Sequence, residues 1–212
     1  MAEKVLAFFG AFNPVTKAHI DVAKCALKQT EATKVIFIPS KSQYIQKVQK
    51  KDKSFKEDIR LMLLRKVAKS YPWMEVSDIE IKKESQPLTY DTLCELKSKG
   101  YSPTLLVGED VFCDFQLKWK NVHKICEEFG VVVAERVVEN IEQDAESLIM
   151  YDPFYKNLPN IDMVTIKDAN TLCASSTATR TIIAKIEQLS DTLKQCLPEE
   201  VYSDFLKMIL FS

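Results

Sequence analysis

Two short segments combine hydroxyl, imidazole and guanidinium groups with turn-forming backbone in a way that suits phosphate. The first is Gly10-Ala11-Phe12-Asn13-Pro14-Val15-Thr16-Lys17-Ala18-His19. Gly10 lets the chain bend sharply where an apolar run ends, and Pro14 stiffens the loop that follows. Thr16 stands where a helix should begin, and His19 comes three residues later in its first turn. Hydroxyl and imidazole can then face one anion, beside the unpaired N–H groups and partial positive charge of a helix start. Taken alone, the same residues also describe a threonine cap with a surface histidine.

The second segment lies near the far end of the chain: Ser175-Ser176-Thr177-Ala178-Thr179-Arg180. Consecutive hydroxyls at a helix opening supply neutral donors, and an arginine one turn on adds a forked charge that fits phosphate oxygens. By itself a Ser/Thr run before a helix is more often a cap than a binding site. What makes the pair informative is that each segment follows a strand-like run and opens a helix-like one.

The elements that must position them follow from hydrophobic patterning. Short apolar runs at residues 4–9, 34–39, 103–108, 130–134 and 161–166 read as strands, and residues 73–81 as a strand running into a loop. Helical spacing of apolar residues marks 17–30, 55–67, 89–99, a stretch bearing Trp119, then 177–189 and 197–211, with Gly100 placed to end the third. The runs are continuously apolar, not alternating, and helices separate them. That pattern predicts a parallel sheet buried on both faces. The expected fold is α/β, a Rossmann-like doubly wound sheet with helices on both faces and a C-terminal helical segment. It is expected to form one domain over residues 1–212, an α/β core over 1–170 and the motif with its helices over 171–212.

Composition and absent motifs narrow the function. The chain has 212 residues and a formal net charge of −1, which gives no global case for binding a nucleic acid polymer or a membrane surface. No apolar run approaches the length of a spanning helix, and the six scattered cysteines read as reduced thiols, so a cytoplasmic protein without a metal cage is expected. The four glycines, Gly10, Gly100, Gly108 and Gly130, form neither GxGxxG, nor GxxxxGK[ST], nor GxSxG. The dehydrogenase fingerprint, the P-loop and the hydrolase elbow are therefore excluded. Asp110 sits just past a strand's carboxyl end, where open α/β sheets bind ligands. Lys41, Lys47, Lys50, Lys51, Lys53 and Lys56 crowd a polar stretch whose default reading is a solvated loop.

Thr16-Lys17-Ala18-His19 resembles the (H/T)xGH signature of the nucleotidyltransferase superfamily, and Ser175–Arg180 resembles its ISSTxxR motif. Gly10, Phe12, Asn13 and Pro14 resemble the strand-one loop of the pyridine-nucleotide adenylyltransferases. Leu88-Thr89-Tyr90-Asp91-Thr92-Leu93 is similar to the SYTxDTL stretch of the bacterial nicotinate-mononucleotide enzymes. Gly108 and Asp110, with Trp119 beyond them, resemble their IGxD…W segment. The C-terminal stretch from Leu197 to Phe211 resembles their last helix. Ala18 stands where many members carry glycine, and Ala11 stands in place of Gly, Ser or Thr.

The resemblance implies an adenylyltransferase that joins ATP to nicotinate or nicotinamide mononucleotide, with Mg²⁺ accompanying the ATP and pyrophosphate leaving. It implies phosphate contacts from Thr16, His19, Ser175, Ser176, Thr177 and Arg180, and nucleotide contacts from Gly10, Phe12, Asn13, Gly108 and Asp110. Thr89, Tyr90, Trp119 and Arg136 fall to the pyridine substrate, although Trp119 is equally well explained by helix packing. Lys47 matches a lysine that meets the ATP phosphates in eukaryotic-type members, and Lys50 or Lys51 are alternatives. Another nucleotidyltransferase, acting on phosphopantetheine, a flavin or a polyol phosphate, is the runner-up within the superfamily. A nucleotide-binding relative without turnover is the runner-up from another class. Choice of pyridine substrate tilts to nicotinate, and assembly into a homo-oligomer stays open.

Overall fold

The computed structural model describes residues 2–47, 55–109, 111–112, 115, 119–136, 158–166, 196–202 and 204; for residues 46, 47 and 136 only the backbone is described. Among the described residues six strands form one sheet: β1 (Glu3–Gly10), β2 (Lys34–Pro39), β3 (Met74–Val76), β4 (Tyr101–Gly108), β5 (Val131–Arg136) and β6 (Ile161–Ile166). Their spatial order is β3-β2-β1-β4-β5-β6 and every pairing is parallel. Helices described from end to end are α1 (Lys17–Gln29), α2 (Ser42–Lys47), α3 (Glu57–Ala68), α4 (Thr89–Ser98) and α5 (Val122–Glu128).

Both faces of the sheet are buried, which explains why its strands are apolar runs without alternation. Leu6 and Phe8 of β1, Val35 and Phe37 of β2, Leu106 of β4 and Val132 of β5 point to one side. They pack there with Ile20, Ala23 and Ala26 of α1, Leu63, Leu64 and Val67 of α3, and Leu197 and Val201 near the C-terminus. The intervening residues, among them Val5, Ala7, Ile36, Ile38, Leu105 and Val107, meet Leu93 and Leu96 of α4 and Ile125 of α5 on the other. The doubly wound α/β expectation is met. No helix among the described residues is long and apolar enough to cross a membrane.

Strand order places the ligand crevice. From β1 the chain winds outward to β2 and β3, then returns to lay β4 on the other side of β1. Such a reversal leaves a gap at the carboxyl ends of the two central strands, because their following connections diverge to opposite faces. Phe8 pairs with Leu106, so Gly10 and Gly108 each close their strand two residues beyond that pair. The two segments read as nucleotide loops thus leave the sheet side by side.

Three local differences from the sequence expectation have physical causes. Part of the lysine-rich polar stretch is the short helix α2, which buries Ile45 completely. The run at 73–81 is a strand only over Met74–Val76, because a turn follows, with Lys82 and Lys83 amides bonded back to Asp78 and Glu80 carbonyls. The helix expected over 55–67 starts later, at Glu57. Gly100, with φ +93°, ends α4 as expected, in a conformation that costs a side-chain-bearing residue energy.

Candidate active site

The loop from Gly10 to Thr16 is built by close packing around Phe12. Phe12 has φ +41°, an unfavourable region for a bulky residue, and its ring is 1 % exposed. The ring lies edge-on to Phe8 at 5.5 Å, against Phe37 at 5.3 Å, and edge-on to the His19 imidazole at 5.1 Å between centroids. Gly10 is needed for that arrangement because a Cβ there would meet Phe12 Cζ at 3.0 Å. Its role is room for an aromatic ring. The Asn13–Pro14 peptide is cis, and Asn13, fully buried, accepts the Phe55 N–H on Oδ1 at 2.9 Å.

Thr16 begins α1 with extended backbone, φ −126° and ψ 165°, and is completely buried. Thr16 and His19 form a reciprocal capping box. The Thr16 N–H donates to His19 Nδ1 at 3.0 Å, and Thr16 Oγ1 lies 2.7 Å from the same nitrogen. An amide N–H can only donate, so Nδ1 is an acceptor and the neutral ring carries its proton on Nε2. That leaves an N–H donor on the ring's far side, on a half-buried residue at the opening of a helix. The sequence set a threonine cap beside a separate histidine; in the structure the His19 side chain is part of that cap. The cap orients the ring.

Arg60, in α3, is a functional candidate that the sequence did not reveal. It is completely buried, and its guanidinium donates to the carbonyls of Ala11 at 2.7 Å, Ser40 at 2.6 Å and Phe55 at 3.3 Å, and to Ser42 Oγ at 3.2 Å. Burial lowers its pKa to about 10, partly opposed by nearby Glu57. In sequence it is one polar residue on an amphipathic helix; the only available signal was its place just inside the helix that follows the lysine-rich stretch.

A second strap holds the segment between β3 and α4. Glu80 is 1 % exposed and accepts hydrogen bonds from Gln86 Nε2 and from Thr92 Oγ1, the latter at 3.1 Å. Gln86 Oε1 in turn accepts the Lys41 N–H at 2.8 Å, and Lys41 Nζ donates to the Ile81 and Lys83 carbonyls at 2.8 and 2.6 Å. Burial raises the Glu80 pKa to about 7, against the lowering effect of its two donors. Lys41, one of the crowd of lysines, is thus engaged with backbone.

The remaining candidates divide three ways. Gly108 closes β4 next to the loop, and Thr89 opens α4. Tyr90 directs its hydroxyl to Glu128 Oε1 at 2.9 Å and sets its ring edge-on to Phe129, under the Lys124 ammonium. Trp119 packs on Phe115 at 5.2 Å and stays partly exposed. Lys47 is the last residue of α2 and Arg136 the last of β5. Asp110, Ser175, Ser176, Thr177 and Arg180 lie outside the described residues, as do Lys50, Lys51 and Lys53.

Known proteins resemble this chain over most of its length. The model of the cytidylyltransferase-like family matches residues 7–182, a span that contains both Thr16–His19 and Ser175–Arg180. A probable nicotinate-nucleotide adenylyltransferase of Clostridium tetani is 26% identical, over 99% of both chains. One of the same name from Dictyoglomus thermophilum is 32% identical over 66% of this chain and 70% of its own. The solved structure of the Plasmodium falciparum nicotinic acid mononucleotide adenylyltransferase complexed with NaAD superposes with a TM-score of 0.72 at 19% identity, covering 99% of this chain and 98% of that one. At that identity the superposition speaks for the fold, and the family match, which spans most of the chain, speaks for descent: this chain belongs to the cytidylyltransferase-like family.

Proposed function

We propose that the chain is an adenylyltransferase that transfers AMP from ATP to nicotinate mononucleotide, yielding the deamido form of NAD and pyrophosphate. The observation that carries it is the Thr16–His19 pair, held at a helix opening beside the crevice between β1 and β4. The full-length relatives named for this activity support the choice of substrate.

The reaction asks little covalent chemistry of the protein. An oxygen of the mononucleotide phosphate bonds to the α-phosphorus of ATP as the bond from that phosphorus to the β-phosphate oxygen breaks, and the electron pair leaves with pyrophosphate. Catalysis then consists of aligning two anions and neutralising charge as it moves to the leaving group. In this reading His19 Nε2–H and the first amides of α1 donate to the α- and β-phosphates. Ser175, Ser176, Thr177 and Arg180 take the rest of the triphosphate, with Lys47 near the leaving group. Gly108 and Asp110 line the adenosine side, and Thr89, Tyr90, Trp119 and Arg136 the pyridine side.

Mg²⁺ belongs to the proposal as the companion of ATP. The loop's described donors are N–H and hydroxyl groups, which suit phosphate oxygens, so the ion would be held by those oxygens and by water and not by these side chains. When bound it offsets phosphate charge.

The test is pyrophosphate release from ATP and Mg²⁺ with nicotinate mononucleotide, run beside nicotinamide mononucleotide. Turnover with neither, despite bound ATP, overturns the proposal. Within it, His19→Ala is expected to lower kcat by about 10²–10³-fold, the usual cost of one preorganised donor. Turnover within a few-fold of wild type would remove His19 from the phosphates.

A further inference from the structure

We propose that Arg60 is a positioning residue for the transfer reaction, gathering the loop after β1 and the loop after β2 onto one guanidinium so that the His19 imidazole is held in register. The inference rests on the adenylyltransferase reading above.

Its ground is the pattern of Arg60's partners. A buried arginine ordinarily answers a carboxylate, whose charge balances its own. Arg60 donates to three backbone carbonyls and one hydroxyl, and they come from three separate segments: Ala11, then Ser40 and Ser42, then Phe55. Ala11 and Ser40 directly follow the last residues of β1 and β2, and those strands pair up to Gly10 and Pro39. The guanidinium therefore ties together the two adjacent strand ends at the edge of the crevice. A lysine has one nitrogen and lacks the planar fork that reaches several carbonyls at once.

The route from Arg60 to the imidazole is short and continuous. Arg60 Nη1 holds the Ala11 carbonyl at 2.7 Å. The next residue, Phe12, turns through positive φ and lays its ring against His19. The Ser42 hydroxyl, which also donates to the Phe55 carbonyl at 3.4 Å, ties the start of the lysine-bearing α2 to the same hub. Glu57 Oε1 accepts the Ser42 N–H at 2.7 Å from the first residue of α3. Loosening Arg60 frees the loop that aims His19, and small displacements of catalytic groups cost rate steeply.

The experiment compares wild type, Arg60→Lys, Arg60→Ala and Ser42→Ala at matched folded fraction, set by thermal melts. Each is assayed for kcat and for KM of ATP, with the tautomer of the His19 ring followed by ¹⁵N NMR. Arg60→Lys and Arg60→Ala are expected to lose about 10²-fold in kcat with KM changed only a few-fold. Added guanidinium should restore a measurable part of the Arg60→Ala loss, and the His19 ring should lose its single tautomer in both. Ser42→Ala, which leaves the core filled, is expected to lose several-fold in kcat, so the proposal stays testable if the Arg60 variants do not fold. Overturning results are a kcat within two-fold of wild type in the folded variants, an unchanged His19 spectrum, or an effect confined to KM. If wild type itself makes no dinucleotide, the function reading fails, while the His19 spectrum still decides the positioning role.

Discussion

At the scale of single residues, the loop after β1 makes a helix cap and the proposed phosphate donor one object. His19 accepts the Thr16 N–H on Nδ1, so the cap that starts α1 also sets which ring nitrogen carries the proton. Thr16→Ala is therefore expected to cost about 1 kcal/mol of stability as a lost cap. Gly10 has a different place in the same object. A methyl group added there would sit 3.0 Å from the Phe12 ring, which Phe8, Phe37 and His19 already enclose. Gly10→Ala should destabilise by about 1–3 kcal/mol, the ordinary range for overpacking. It should also lower kcat, because the ring that must move is the one against the imidazole. Urea melts and pyrophosphate release read the two effects. A variant as stable and as fast as wild type would show that Phe12 has room to shift.

At the scale of elements, the strands and the burial of both sheet faces were legible because burial on both sides of a sheet writes long apolar runs, such as Val5–Phe9 and Lys34–Pro39. Thr16 and His19 were legible because capping needs particular residues at a fixed spacing. Arg60 and Asn13's anchoring role were not, and the reason is common to both. Their partners are distant in sequence: Arg60 meets Ala11, 49 residues away, and Asn13 meets Phe55, 42 away. Backbone groups of that kind leave no mark on local pattern. The edge of the sheet carries another such pairing. The Gln29 side chain at the end of α1 donates to the Thr165 carbonyl at 3.0 Å and accepts its N–H at 3.2 Å, occupying both polar groups of one residue of β6. It does for the edge what a further strand would do. Gln29→Ala is expected to cost about 1 kcal/mol and to speed hydrogen exchange at the Thr165 amide. Unchanged exchange there would mean that another group protects that edge.

At the scale of the whole molecule, Glu80 makes folding sensitive to pH near neutrality. Its carboxyl is shut in beneath the segment joining β3 to α4, where Gln86 and Thr92 supply neutral donors and Tyr44, half-buried nearby, feels its charge. Burial raises its pKa from 4.5 to about 7 on folding, so the native state holds this proton more tightly than the unfolded chain. The resulting stabilisation is complete below about pH 4.5 and is lost as pH climbs through about 7, a swing of about 3 kcal/mol. The surface carboxylates Asp78 and Glu95, held low by lysine and arginine partners, act in the opposite sense and only at more acid pH. Glu80→Gln separates the two contributions, since it removes the proton and keeps the size and an acceptor. Wild type is expected to lose urea resistance steadily between about pH 5 and about pH 8, and the variant to stay nearly flat over that range. The curves should therefore converge or cross on the alkaline side, where wild type bears a buried charge and the variant does not. Gln86 spans Glu80 and the Lys41 amide, so the same ionisation acts on the strap between the β3–α4 segment and the loop that Arg60 holds. Parallel slopes for the two proteins would show that Glu80 is already solvated in the native state, and would detach the strap from any pH effect.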